Sequence, residues 1–137
     1  MKDMELRDRR DRDLYEAYLE GLREKSPQDR REAVEYARNH PAPRFYISGD
    51  YCRLIMGKRL AGEQVRLRNG ISARKFDRLW ELFNEEMAKG NITIEEACHR
   101  IVEKPAPSFF LRWETAEKII RKERKKACER LLKRYSR

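Results

Sequence analysis

Apolar residues along the chain recur at the spacing of helices. In the first part of the sequence, Leu14, Tyr15, Tyr18 and Leu22 lie at i, i+1, i+4 and i+8, which is one face of a helix. Towards the carboxyl end, the apolar residues at positions 116, 119, 120, 127, 131 and 132 fit one long amphipathic helix. The pattern predicts an all-α protein.

The sequence also repeats itself at an offset of 64 positions. Residues 40–47, His-Pro-Ala-Pro-Arg-Phe-Tyr-Ile, recur as residues 104–111, Lys-Pro-Ala-Pro-Ser-Phe-Phe-Leu. At the same offset Asp29 faces Thr93, and each is an N-capping residue with Glu three positions later. With one residue gained or lost further upstream, the first apolar face pairs with a second one, which consists of Leu79, Trp80, Phe83 and Met87.

Each repeat therefore predicts a helix, a capped helix, a proline turn and a third helix. Because proline disfavours helix in the residue before it, we expect His40 and Lys104 to end the second helices. The predicted fold is all-α, with two tandem, diverged three-helix units that are related by a pseudo-twofold duplication. We expect one domain over residues 1–137, with repeats at about 11–57 and 76–120, a basic connector at 57–75 and a long basic C-terminal helix at 113–135.

An aromatic pair follows each proline turn: Phe45 with Tyr46, and Phe109 with Phe110. One interpretation is a core staple, since burying each large apolar side chain contributes roughly 1.5 to 3 kcal/mol. The other is that one aromatic of each pair is exposed and stacks on a base or a partner, together with Arg44 in the first repeat.

The net charge of +9 is concentrated in two segments. Residues 121–137 hold nine Lys or Arg against two Glu, and the connector 57–75 holds six against one Glu, so the rest of the chain is slightly acidic. Clustered cations bind a polyanion by releasing its condensed counterions. The sequence therefore predicts nucleic acid, with DNA favoured, as the partner.

We expect the contacts to go mainly to phosphates, with any base recognition from Arg44 or Arg53. A solvated helix face that complements the helix dipole would give the same charge pattern, and membrane-surface attachment is a third interpretation. The rival function is a protein-protein adaptor with partly exposed Trp80, Trp113 and Tyr135. The predicted phosphate contacts are Lys58, Arg59, Arg66, Arg68, Arg121, Lys122, Arg124, Lys125 and Lys126.

No catalytic or metal-binding pattern stands out. Neither His40 nor His99 has metal-ligand spacing to cysteines or carboxylates, so no metal, cofactor, small-molecule ligand or enzyme activity is predicted. The pairs at 85–86 and 95–96, both Glu-Glu, are expected to be solvated. Without an apolar run for a signal or a membrane span, we expect a cytoplasmic protein. The cysteines at 52, 98 and 128 are predicted to be buried structural thiols.

The Pro-Ala-Pro-Arg-Phe-Tyr string at 41–46, which follows a capped helix containing Glu32-Ala33, resembles a group of small basic bacterial proteins, some of them encoded by mobile elements. The resemblance covers the first repeat and its connector, and it transfers no catalytic or binding residues. Each repeat also loosely resembles the three-helix core of helix-turn-helix DNA-binding proteins. A standard helix-turn-helix joins its last two helices through three or four residues, whereas about nine residues with two prolines intervene here.

Overall fold

The computed structural model describes residues 2–24, 29–65 and 70–135. This part of the chain is all-helical and contains no strand, which confirms the predicted fold class. None of its helices combines the length and the apolar character needed to cross a membrane. The helices are α1 (Lys2–Glu24), α2 (Arg30–Asn39), α3 (Gly49–Leu60), α4 (Gly70–Ala88), α5 (Ile94–Ile101) and α6 (Trp113–Tyr135).

Polar side chains begin three of the helices, where the first amides lack partners within the helix. The Asp29 carboxylate accepts a hydrogen bond from the amide of Glu32 at 2.8 Å, and the Thr93 hydroxyl accepts one from the amide of Glu96 at 3.1 Å. Both predicted caps are therefore confirmed. Ser48 caps α3 in the same way.

The second helix of each repeat was predicted to end at the residue before a proline, and this holds for α2 but not for α5. α2 ends at Asn39 with His40 as its C-cap, as predicted. α5 ends at Ile101, so the prediction that it runs to Lys104 is wrong. The amides of Glu103 and Lys104 bond to carbonyls three residues back, and this tighter turn replaces the last α-helical turn before Pro105.

The chain divides into two compact units. Unit 1 comprises Met1–Leu6 and Pro43–Ala106, and it contains α3, α4 and α5. Unit 2 comprises Arg7–Ala42 and Pro107–Arg137, and it contains α2, α6 and nearly all of α1. The units do not coincide with the sequence repeats, because the third helix of each repeat lies in the unit formed by the first two helices of the other.

In unit 1, α3 and α4 both pack against α5. A Cβ atom at Gly49 would lie 2.2 Å from Nδ1 of His99, so only glycine lets the first turn of α3 approach this ring as closely. The Phe45 amide donates a hydrogen bond to the Val102 carbonyl at 2.9 Å, and the ring of Phe45 is only 1% exposed. The other buried apolar residues are Cys52, Ile55, Met56, Phe76, Leu79, Leu82, Phe83, Ala97, Cys98, Ile101, Val102 and Ala106.

In unit 2, α2 packs against α6. Gly21 of α1 lies against the ring of Tyr36, where a Cβ atom would come within 2.5 Å of Cδ1. The Phe109 amide donates a hydrogen bond to the Arg38 carbonyl at 3.4 Å. The buried apolar residues of this unit are Leu14, Ala17, Tyr18, Ala33, Val34, Ala37, Ala42, Phe109, Ala116, Ile119 and Ile120.

The first aromatic of each proline turn is buried, as the staple interpretation requires. Phe45 and Phe109 belong to the cores, whereas Tyr46 and Phe110 are half-buried. Phe110 adopts a φ of 53°, a left-handed conformation that is uncommon for a bulky side chain. The Ser108 hydroxyl accepts a hydrogen bond from the Phe110 amide at 3.1 Å and supports this conformation.

The three cysteines have different environments. Cys52 of α3 and Cys98 of α5 are fully buried and hydrogen-bond to each other. This hydrogen bond and the burial raise the pKa of the Cys52 thiol, so it stays protonated. Cys128 is exposed on α6, so the prediction that all three thiols are buried is wrong for that residue.

Candidate nucleic-acid interface

Four phosphate contacts were predicted in the basic connector. In the part of the chain that the structure describes, one of them, Lys58, is freely exposed. Arg59 is occupied within unit 1: its guanidinium donates to the Phe76 carbonyl at 3.1 Å and to Asp77, and it lies over the ring of Trp80. It therefore joins α3 to α4. Arg66 and Arg68 lie outside the described residues.

Arg44 and Arg53, the candidates for base recognition, differ in their surroundings. The Arg44 guanidinium donates to the carbonyls of Phe45 at 2.9 Å and Ile47 at 3.3 Å, so it supports the backbone of the proline turn. Arg53 is exposed on α3. Of the two, only Arg53 presents its charge to solvent without a main-chain bond in the described residues.

Three cations of α6 are paired with carboxylates of unit 2: two of them precede Arg124, and the third is Lys126. Arg121 forms a bidentate pair with Glu117, whose carboxylate also lies 3.2 Å from Arg30. Lys122 bonds at 2.5 Å to Asp11, which is only 1% exposed. Asp11 is therefore a buried charge, although it lies in an amino-terminal segment where acids and bases alternate. Lys126 pairs with Glu123, which is also buried.

The distal α6 segment, Arg124–Tyr135, is different. None of its residues is buried, and six Lys or Arg stand against the single acid Glu129. The side chains of Arg124 and Lys125 make no ion pair or hydrogen bond with the described part of the chain. The same is true of Arg130 and Arg134, which were not among the predicted phosphate contacts.

The apolar stripe predicted for α6 holds only along its first half. Ala116, Ile119 and Ile120 are buried, whereas Leu131 is 52% exposed and Leu132 is 70% exposed. Only the first half of the stripe is therefore packed against unit 2. The distal segment projects cationic and apolar side chains into solvent.

A second group of cations surrounds a buried carboxylate in unit 1. Glu86 is 4% exposed, and its carboxylate accepts hydrogen bonds from Lys104 at 2.6 Å and Lys89 at 3.1 Å, while Arg100 lies 3.9 Å away. The prediction that Glu86 is solvated is wrong. The hydrogen bonds from Lys104 and Lys89 hold the pKa of Glu86 below its ordinary value of 4.5.

Glu86→Gln should change how stability depends on pH. Because the folded pKa is lowered, the charged carboxylate stabilises the fold above pH 4.5 and loses this contribution as the pH falls through the folded pKa. The difference in Tm between wild type and variant should be largest near neutrality and shrink in acid. Glu85→Gln, which removes the same charge from an exposed side chain, should give no such trend. A difference that stays constant with pH would contradict the assignment.

Three exposed side chains of unit 1 form a cluster that spacing along the sequence did not suggest. Asp50 of α3 joins Glu95 and His99, one turn apart on α5, and their ligand atoms all lie within 4.8 Å of one another. Nε2 of His99 is 3.3 Å from Asp50. Since all three are exposed, water competes for each ligand position, and the cluster has the character of a surface ion pair.

No known protein family, curated protein or solved structure matches this chain. The assignment of a function therefore depends on the residues alone. The distal α6 segment is distinguished by its excess of positive charge, six Lys or Arg against one Glu, and four of these cations form no ion pair with the described part of the chain. The sequence located this segment through its charge count, but it did not separate paired from unpaired cations. Asp11 is distant along the chain from Lys122, and whether Glu117 and Glu123 pair with a cation one turn away depends on side-chain conformation.

Proposed function

We propose that this protein is a non-enzymatic nucleic-acid-binding accessory or regulatory protein of the cytoplasm, with DNA favoured, that contacts phosphates through the distal α6 segment. The observation that carries the proposal is the set of unpaired cations there, Arg124, Lys125, Arg130 and Arg134. In the basic tract before Arg124, the cations Arg121 and Lys122 are held by acids. Lys58 and Arg53 are secondary candidates from unit 1.

The length of the segment suits a polyanion. Its 12 residues extend over roughly 18 Å at the rise of an α-helix. Double-stranded DNA carries a charge about every 1.7 Å, so a helix of this length faces on the order of ten phosphates. Each cation that neutralises one releases a condensed counterion, which favours binding at low salt.

The experiment is a fluorescence titration of a labelled DNA duplex with the protein at two salt concentrations. The proposal predicts binding at low salt and a steep loss of affinity as salt is added, because phosphate contacts release counterions. An RNA duplex and a single strand under the same conditions would show which nucleic acid is preferred. Absence of binding at low salt would rule the proposal out.

We also propose that the chain is an internal duplication, in two diverged three-helix repeats. Two hydrogen bonds support it, from the Phe45 amide to Val102 and from the Phe109 amide to Arg38, because donors and acceptors are both offset by 64 positions. The buried residues of the third helices correspond at the same offset. These pairs are Cys52 with Ala116, Ile55 with Ile119, and Met56 with Ile120.

The alternative function, an adaptor for another protein, is favoured by one feature of the same segment. Cys128, Leu131, Leu132 and Tyr135 are all exposed and lie at i, i+3, i+4 and i+7, the spacing of helices that dock into apolar grooves. Tyr135 is 80% exposed. A protein complex that persists after nuclease treatment and is lost on Leu131→Asp would favour this function over nucleic-acid binding.

A further inference from the structure

Each compact unit is completed by a helix from the opposite half of the chain. Let the first half be residues 2–65 and the second half residues 70–135. Unit 1 joins α3 of the first half to α4 and α5 of the second, and unit 2 joins α6 of the second half to α1 and α2 of the first. Each half therefore gives up its third helix and receives the other half's third helix.

In unit 1, bonds between the halves occur at both the core and the surface. The Phe45 amide donates to the Val102 carbonyl, and the buried thiols of Cys52 and Cys98 hydrogen-bond to each other. Arg59 reaches α4 through the Phe76 carbonyl. Without the second half, the buried face of α3, which carries Cys52, Ile55 and Met56, would be exposed to water.

In unit 2, the same arrangement holds with the roles of the halves reversed. The Arg38 carbonyl accepts a hydrogen bond from the Phe109 amide at 3.4 Å. The Arg38 guanidinium donates one to the Leu111 carbonyl at 3.1 Å. Lys122 supplies a cation to the buried Asp11. Without the first half, the buried face of α6 would be exposed and Asp11 would lose this cation.

We propose that this fold can exchange halves with a second copy of this chain, and that the length of the connector between Leu60 and Gly70 keeps the unmodified chain monomeric. The first half of one copy can make every one of these contacts with the second half of another, so an exchanged dimer needs no new interface. Only the nine residues between Leu60 and Gly70 follow a different path. The length of this connector therefore determines whether the chain closes on itself or exchanges.

The geometry at the end of α3 explains the role of the connector's length. Arg59, in the last turn of α3, contacts Phe76, six residues into α4. Phe76 lies a helical rise of roughly 9 Å from Gly70, the first residue of α4, so a chain that closes on itself has to cover about this distance between the two helices. With a single residue left between Leu60 and Gly70, their Cα atoms can be at most about 7 Å apart, so a chain shortened in this way cannot close.

The test is deletion of residues 62–69 in a Cys128→Ser background, with mass measured by light scattering on a size-exclusion column. We expect the unmodified chain to elute as a monomer of 16.6 kDa and the deletion variant to double in mass relative to its own monomer. Replacing the same eight residues by a glycine-serine segment of equal length is the control, and it should stay monomeric. A folded monomeric deletion variant would overturn the proposal.

The thiol pair distinguishes exchange from ordinary association. Diamide, in mild urea, can oxidise Cys52 and Cys98 to a disulfide by taking up their two hydrogen atoms. In an exchanged dimer these two thiols belong to different copies, so the oxidised protein should run as a two-chain species on a denaturing gel. Cys98→Ala should abolish that species. In the deletion variant, a disulfide within single chains, seen as a monomer that has lost two hydrogens, would overturn the proposal.

If the deletion variant does not fold, the full-length chain with a specific protease site inserted after Val65 provides the test. After cleavage, we expect the two halves to elute together and to unfold in one transition, because each unit needs both. Halves that separate on the column while keeping their helicity would each be complete. That result would overturn the exchange of halves.

Discussion

Phe45→Ala is expected to lower the free energy of unfolding by about 3–5 kcal/mol, the usual cost of truncating a fully buried phenylalanine. The side chain is 1% exposed, and it follows the rigid proline turn that leads into α3. Its amide is bonded to Val102, so loss of the ring also leaves the attachment of this turn to α5 less well packed. Urea unfolding monitored by circular dichroism would measure the change.

Tyr46→Ala is the matched control, because it removes the neighbouring aromatic from a half-buried site. We expect a loss of roughly 1 kcal/mol there, within the range of ordinary substitutions. Equal losses at both positions would contradict the assignment of Phe45 as the core staple. Little loss at Phe45 would favour the hypothesis that this ring is available for stacking on a ligand.

Arg124→Gln with Lys125→Gln is expected to weaken DNA binding about tenfold to a hundredfold near 0.1 M salt, because two phosphate contacts and their counterion release are lost. Neither side chain has an ion pair with the described part of the chain, so the fold should be unaffected. Fluorescence anisotropy with a labelled duplex measures the affinity. An unchanged Tm would establish that the loss of affinity does not come from a loss of protein stability.

The control for this pair removes the same charge from elsewhere on unit 2. Arg23, near the end of α1, and Arg112, just before α6, are exposed, so Arg23→Gln with Arg112→Gln lowers the net charge equally. Arg23 lies twelve residues along α1 from Asp11, the contact of that helix with Lys122, and Arg112 lies twelve residues before Arg124, a helical rise of roughly 18 Å in each case. We expect the affinity of this variant to stay within about twofold of wild type, since exposed charges beyond a Debye length are screened. Equal loss in both double variants would mean that overall charge, and not the distal α6 segment, governs binding.

Much of the local structure could be predicted from the sequence, because its determinants are close along the chain. The caps at Asp29 and Thr93 need only a short polar side chain that accepts a hydrogen bond from the amide three residues later. The end of α2 at His40 follows from the next proline, and the range of α6 follows from its apolar period. α5 ended early because local hydrogen bonding tightened its last turn, which the position of a proline does not determine.

The assembly of the helices could not be predicted in the same way. The apolar stripes of α3 and α6 indicate that each is buried, but a stripe does not specify which helices cover it. The repeat likewise does not specify whether each third helix packs within its own repeat or with the other one. The compact units instead pair α3 with α4 and α5, and α6 with α1 and α2.

The buried charges were the other feature that the sequence concealed. Asp11 lies in a segment where acids and bases alternate, and Glu86 lies next to another glutamate, so both have the pattern of solvated residues. Their partners, Lys122 and Lys104, are distant along the chain. The candidate site changed accordingly. Lys122 is engaged by Asp11, whereas Arg124 and Lys125 have no acidic partner in the described residues and remain candidates for phosphate contact.

The most direct measurement of the central claim is the slope of log affinity against log salt for the wild type and the two double variants. Phosphate binding by the distal α6 segment predicts a steep negative slope for wild type, and a slope shallower by about two for Arg124→Gln with Lys125→Gln, since each lost contact removes about 0.9. The Arg23→Gln with Arg112→Gln variant should keep the wild-type slope. Identical slopes in all three proteins would contradict the claim.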